Sequence, residues 1–437
     1  MTSLLTMLGI VLFVVGLLVT VGLHELGHLL PAKKFGVKVP KYFIGFGPTL
    51  WSVRRGGTEY GVKAIPLGGF VELAGMLAPA PAGVRVRKAD GEPTAAEQAR
   101  LASAAQLEPG EEHRAFWRLP ARKKLIVMFG GPCVNAVLAV VLTVGVLCGI
   151  GAGVYGTKLA SVQQCVGGAA TCAAQKTSPA ALAGLREGDQ ILAWGNTDVD
   201  SWEDVQAAIA RGGTAPVSVQ VRRPGDDDLL TLTLSPILTE RPVLEGDGRP
   251  AIDPTTGQER TELKPYVGIS PQLEMRRQSL GVALLQVGKL AVGTIQIVAL
   301  LPVKLWDTAV QLFSGAPRDA NSVVGIVGIA DMAGTITSAQ VSWYGFAQRT
   351  ADFLMLMASL NMSLFVFNLI PLLPLDGGHI LGALIEGVRR TWARWRGRPD
   401  PGAFDTARLL PLSYAVIAFF VVMTLLLVVA DIVNPVI

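Results

Sequence analysis

Val21-Gly22-Leu23-His24-Glu25-Leu26-Gly27-His28 closes the first apolar run of this 437-residue chain. Histidines four apart stand on one face of a helix, about one turn from each other. Both imidazoles can therefore reach one zinc ion, with Glu25 beside them as a general base for water. Short motifs also arise by chance, and core histidines occur for packing alone. Here, however, two of only four histidines fall in the pattern. Ionisable side chains inside a membrane segment are also costly enough to mark function. The expectation is a hydrolytic zinc centre set in a membrane.

The run before the motif supplies that membrane segment. Residues 4–23 carry no charge, and about 20 apolar residues cross a hydrocarbon core of about 30 Å. Without a basic leader region or a small-residue cleavage site, the stretch reads as a retained helix over 1–32, not a signal peptide. Lys33, Lys34, Lys38 and Lys41 follow, which puts this end, and both histidines, towards the cytoplasm. Half of the chain is hydrophobic, 16% is charged and the mean hydropathy is +0.44. That composition indicates a membrane protein rather than a string of soluble domains. Four cysteines are too few for a disulfide scaffold, and no module or basic helix suited to nucleic acid stands out.

Downstream, turn signals at Gly45-Phe46-Gly47-Pro48, Arg55-Gly56-Gly57-Thr58 and Pro66-Leu67-Gly68-Gly69 predict one or two membrane-associated β-hairpins over 42–76, on the cytoplasmic side. Residues 78–112, rich in Ala, Pro, Gly and Glu, read as a flexible insert. A second span is expected over 125–154. Within it, Gly130-Gly131-Pro132 and Asn135 place a kink and an amide in apolar surroundings. Residues 155–277 hold 12 Lys/Arg against 16 Asp/Glu, whereas 31–124 hold 16 against 8. That asymmetry puts 31–124 inside and 155–277 outside. Cys165 and Cys172 then lie in an oxidising compartment, either as a small-loop disulfide or as two free thiols.

Residues 278–313 carry Gln286, Lys289, Gly293 and Gln296 as one polar stripe, the pattern of amphipathic helices lying in the interface. A third span over 341–388 contains Asn368 and the lone acid Asp376. The arginines at 389, 390, 394, 396 and 398 place its end in the cytoplasm. A fourth span over 410–432 returns the C-terminus to the outside. The fold class expected is a polytopic α-helical membrane protein with about four transmembrane helices, a small β-hairpin region and one extracytoplasmic α+β domain.

A catalytic zinc usually takes three protein ligands. Asp376 qualifies as the third, at the same depth and on the same side as His24 and His28. His379 is a rival ligand, and a helix-capping role for Asp376 is the structural alternative. The soluble segment 155–240 looks like a PDZ domain, with Gly184-Leu185-x-x-Gly188-Asp189-x-Ile191 as its signature and 241–277 as a linker. Such a domain takes a chain end or extended peptide by strand addition, or it limits access as a spacer.

With His24-Glu25-x-x-His28, Gly131-Pro132-x-x-Asn135, the PDZ signature and Asn368…Leu375-Asp376-Gly377 in this order, the chain resembles the site-2 protease family of intramembrane zinc metalloproteases. Bacterial regulators of sigma-E protease and their Rip-like actinobacterial relatives are the nearest in kind. The resemblance implies Zn2+ on His24, His28 and Asp376, with Glu25 as base. It implies that Asn368 and Asn135 hold substrate or stabilise the tetrahedral intermediate. It also implies that the hairpins, including Gly68, Gly69 and Phe70, present a strand edge to an unwound substrate helix. The implied substrates are single-span proteins such as anti-sigma factors, and signal-peptide remnants, cut after a first protease. The implied site is the bacterial plasma membrane. Two other classes fit parts of the pattern: a scaffold that only captures partners through its PDZ domain, and a metal transporter. Glu25 beside two ligands argues against both.

Overall fold

The computed structural model describes all residues except 1, 82, 167–171, 173–175, 227, 244–250, 252–258, 317, 319–321, 340–343 and 436–437. Parts of the expected linker 241–277 and the first residues of the expected span 341–388 lie outside the described residues. In chain order the elements are α1 (Thr2–Lys34), β1 (Lys41–Arg55), β2 (Thr58–Glu72), α2 (Ala95–Ala104) and α3 (Ala121–Gly145). Then come β3 (Ala152–Val162), α4 (Pro179–Leu182), β4 (Gln190–Trp194), β5 (Thr197–Asp198), α5 (Trp202–Gly212), β6 (Val217–Arg222) and β7 (Leu229–Leu234). They are followed by β8 (Ile237–Pro242), β9 (Thr261–Tyr266), β10 (Ile269–Arg276), α6 (Leu280–Ala299), α7 (Leu301–Ser314) and α8 (Ile326–Ser338). The chain ends with α9 (Phe346–Asn368), α10 (Asp376–Trp395) and α11 (Leu410–Val433). They form two compact units: 1–149 with 279–340 and 349–437, and 150–278 with 341–348.

The first unit is helical. Among the described residues five helices are long and apolar enough to cross a membrane: Ser3–Lys34, Ala121–Ile150, Leu280–Ala299, Phe346–Asn368 and Thr406–Val433. The third of these falls in the stretch 278–313 expected to lie in the interface, and it is long and apolar enough for either placement. Helix α6 packs Val287, Leu290 and Ala291 into a cluster with Ala139, Met362 and Val366. Val298, near its end, packs against the same cluster, as does Phe365. Helix α7 then runs beside α11, from Leu301 near Phe419 to Ala316, whose carbonyl accepts from the Asn434 amide. One face of α6, with Ala283, Val287, Leu290, Ala291 and Thr294, turns inward, while Val282, Leu285, Val292 and Ile295 stay exposed.

Strands β1 and β2 both bend, so that residues 41–44 pair with 59–62 on one side and 69–72 on the other, and they pair antiparallel across a turn where Arg55 faces Thr58. Gly56 and Gly57 both take positive φ there, the two-residue turn that only such residues adopt easily. The segment 78–112 is not a featureless insert. Thr94 caps α2 by accepting from the Glu97 N–H. Buried Arg100 clamps both carboxylate oxygens of Asp405 at 2.8 Å. Both bonds leave Nη2, while Nη1 donates to Glu97 at 3.1 Å; a guanidinium that has lost water needs such charged acceptors, and this one docks the segment. The expected third span is also divided: α9 stops at Asn368 and α10 starts at Asp376, because Pro371 and Pro374 lie between them.

The second unit is a sheet in the order β10-β3-β4-β6-β7, with β5 on β4. Its core contains Leu159, Ile191, Val205, Val219, Val221 and Leu234. The glycine signature is structural here. Leu185 and Ile191 enter the core, while buried Asp189 binds Arg223 at 2.9 and 2.8 Å. Strand β10 pairs along β3, and β8 pairs with β9. Residues 241–277 therefore include a strand of the sheet and are not a linker. Alternation in 269–276 is broken by Pro271, which hid the strand. Cys165 and Cys172 are joined in a disulfide.

Candidate metal centre

Helix α1 delivers His24 and His28, and the first residue of α10 delivers Asp376. His24 Nε2 and His28 Nε2 each lie 3.3 Å from Asp376 Oδ2 and 3.3 Å from each other. Zinc bonds of about 2.0–2.1 Å in a tetrahedron put the ligand atoms about 3.3 Å apart. The donor set has that spacing on all three edges, and Asp376 Oδ2 is a buried oxygen with no hydrogen-bond donor. The residues fit the ion. The capping alternative fails, because the residue capping α10 is Leu375. His379 stands outside the group of three ligand atoms.

Both histidines are held from behind. His28 Nδ1 lies 2.8 Å from the Val127 carbonyl, which fixes its proton there and frees Nε2 for metal. His24 Nδ1 lies 3.2 Å from the side-chain amide of Asn135. Asn135 is fully buried and its Oδ1 has no partner. Turning the amide by 180° lets Oδ1 accept from His24 Nδ1–H and satisfies both groups. Asn135 therefore sits behind His24. Burial among apolar residues of α3 leaves its amide His24 alone.

Helix α3 comes this close because it carries glycines. A Cβ on Gly130 would stand 2.0 Å from the Gly27 carbonyl oxygen, and one on Gly131 would stand 2.2 Å from His28 Nε2. Backbone-to-backbone crossings of this kind need small residues. Further along, Asn361 of α9 donates to Thr20 Oγ1 at 3.2 Å, one turn before His24. Glycines 27, 130 and 131 and the Asn361–Thr20 pair were not singled out as site residues. An amide in an apolar helix was the available signal for Asn361.

Glu25 lies within electrostatic reach of His24, His28 and Asp376. The hairpin docks beside it. Tyr42 Oη donates to the Gly22 carbonyl at 2.7 Å. Burial first, and the Glu25 charge second, push the Tyr42 phenol up to about 12, so this donor keeps its proton at neutral pH. Gly69 passes so close that a Cβ there would lie 2.9 Å from Val21 Cγ1 and 3.4 Å from Glu25 Cγ. Gly68 takes φ +81°. Phe70 stacks on Phe43, with ring centroids 5.7 Å apart. Asn368 ends α9, half-buried, on the segment leading to Asp376. Deeper support comes from Lys124 of α3 and Glu386 of α10, a buried pair at 2.6 Å.

Residues 12–398 match Peptidase family M50. The chain belongs to that family. The zinc metalloprotease Rip1 of Mycobacterium tuberculosis is 34% identical over 445 residues, covering 98% of each chain. Rip1 of Mycolicibacterium smegmatis is 32% identical over 444 residues, again 98% of each. The metalloprotease MmpA of Caulobacter vibrioides is 29% identical over 400 residues, 89% of each. This M50 chain is a zinc metalloprotease, and its apolar helices make it an integral membrane protein.

Proposed function

We propose that this M50 chain cuts the transmembrane segments of single-span proteins, anti-sigma factors and signal-peptide remnants among them, after a first extracytoplasmic cut. The observation that carries the reading is placement: three mutually 3.3 Å ligand atoms and Glu25 at the end of a helix long enough to span. Zinc, when bound, supplies a Lewis acid for the scissile carbonyl and makes water more acidic. Glu25 takes a proton from the attacking water and hands it to the leaving amine. Val127 and Asn135 hold the two imidazoles in the tautomer that faces inward.

A helix hides its peptide bonds, so cleavage needs local unwinding and a replacement for the lost hydrogen bonds. Gly68, Gly69 and Phe70 run beside Glu25, which suits a strand edge offered to the unwound segment. Asn368, at the mouth of the loop to Asp376, is the residue proposed to hold substrate. The unit 150–278 is proposed as an extracytoplasmic PDZ domain. Among the described residues β10 ends its sheet, and a cavity of about 1040 Å³ between Trp202 of α5 and Pro271 of β10 suits an added peptide strand or chain end. Lys/Arg asymmetry supports both termini outside and the metal site towards the cytoplasm of a bacterial plasma membrane.

The test is purified wild type and Glu25→Gln in detergent, with a single-span substrate and zinc measured together. The expectation is about one zinc in both and cleavage by the wild type alone. Cleavage by Glu25→Gln would refute the role given to Glu25, and a metal-free wild type would refute the site.

A further inference from the structure

The segment 78–112 has no part in the chemistry above, yet it walls a cavity of about 640 Å³ whose lining includes Phe70, next in sequence to Gly69, and His379, one turn of α10 beyond Asp376. One wall is the end of β2 from Phe70 onward and the residues after it, including Met76. A second is Leu373 and His379, which flank Asp376. The third is helix α2, and Leu410 closes the far side. Phe70 follows Gly69, the residue packed on Glu25, so the cavity opens where β2 leaves the catalytic base. Helix α2 presents Ala99, Ala102 and Ser103 to it, spaced three and four apart and so on one face, with Gln106 just past its end. Two alanines there leave the space open. The walls are largely apolar, and polar groups collect at the rim, where Gln106 donates to Glu72 at 2.6 Å and Lys41 pairs with Glu72 at 3.1 Å.

We infer that this cavity is a specificity subsite of the protease, taking an apolar substrate side chain within a few residues of the scissile bond, with α2 as its selective wall. The inference rests on the proteolytic reading. The occupant follows from continuity: a strand laid along Gly68–Gly69–Phe70 directs alternate side chains to one face, and Phe70, which follows the glycine packed on Glu25, lines the cavity. The charge pattern agrees, since a transmembrane segment offers apolar side chains and the cavity interior offers apolar walls. Helix α2 is fixed firmly enough to discriminate. Arg100 grips Asp405, and Ser103 accepts from the Leu77 N–H through its hydroxyl at 3.2 Å and from the Gly75 N–H through its carbonyl at 3.2 Å.

The experiment uses the full chain and a single-span substrate in which each of five residues on either side of the cut is Ala, Leu or Phe in turn. Wild type should prefer Leu or Phe over Ala at one position by about tenfold or more, the discrimination expected of an apolar pocket. Ala102→Trp, on the exposed side of α2, should erase that preference while leaving zinc content and the rate on the Ala substrate within about twofold. Ala99→Leu, a smaller filling, should shift the preference towards Ala at the same position. An equal slowing on every substrate, or no change in preference with either variant, overturns the inference. Absence of cleavage by zinc-loaded wild type across the panel overturns the proteolytic reading, and the subsite with it.

Discussion

Replacing Gly131 by alanine tests the metal centre without touching a ligand. The added Cβ would stand 2.2 Å from His28 Nε2, 2.7 Å from its Cδ2 and 2.8 Å from His24 Cε1. Carbon atoms in ordinary contact keep about 3.5–4.0 Å, so the His28 ring or helix α3 must yield by more than 1 Å. Ligand distances at a zinc site tolerate about 0.2 Å. The ring cannot simply turn, because its Nδ1 is tied to Val127 of the same helix. The displacement exceeds the tolerance several-fold, so zinc affinity should fall by at least about 100-fold, or about 2.8 kcal/mol. Competition with a chelator of known affinity measures this directly, and cleavage should fall in parallel. Gly145→Ala in the same helix is the control. A Cβ there meets nothing within 4 Å, so zinc binding should be unchanged and stability equal or up to about 1 kcal/mol higher. Normal zinc affinity in Gly131→Ala would refute the packing argument.

Three other perturbations separate orientation, support and cross-linking. Asn135→Ala should keep the fold but weaken zinc about 10–100-fold, and Asn135→Asp, which retains an acceptor for His24 Nδ1–H, should restore most of it in the same competition assay. Lys124→Met leaves buried Glu386 without its 2.6 Å partner and should cost about 3–5 kcal/mol, part of which returns in Lys124→Met/Glu386→Leu; unfolding in mixed micelles reads both. Cys165→Ser opens a loop spanning a sequence separation of 7; loop entropy puts the loss for the second unit at about 2.5 kcal/mol, seen as a lower unfolding midpoint that reducing agent reproduces in the wild type.

What could be read from the chain alone depended on how local the signal was. His24 and His28 were legible because helical spacing puts them together without help from elsewhere. Asp376 was legible as the one acid at the right depth beside two prolines. The contacts that hold these ligands were harder. Gly131 touches His28, and Arg100 touches Asp405, across sequence separations over which no periodicity operates. Strand β10 was read as linker because Pro271 interrupts its pattern and its partner β3 lies at the other end of the unit. Helices α6 and α7 were expected in the interface from a polar stripe, and a stripe reports only which face avoids apolar neighbours, never which helices meet the other face. The opposite face packs on α3, α9 and α11, and that partnership is tertiary. Asn135 was expected to hold substrate or stabilise the tetrahedral intermediate; its contact with His24 Nδ1 was not legible, because motif order carries no information on the side from which a residue approaches a ligand.

The division of the ligand set between α1 and α10 also bears on biosynthesis. Ribosomes make chains from the N-terminus, so the two histidines enter the bilayer long before Asp376 is joined to the chain. On the proposed assignment of ligands and base, the centre is incomplete throughout that interval, and the proposed cleavage of neighbouring membrane segments cannot begin. Helices α9 and α10 act as a late key: the protease is armed only when nearly all of it has been made and the loop before Asp376 has folded against α1.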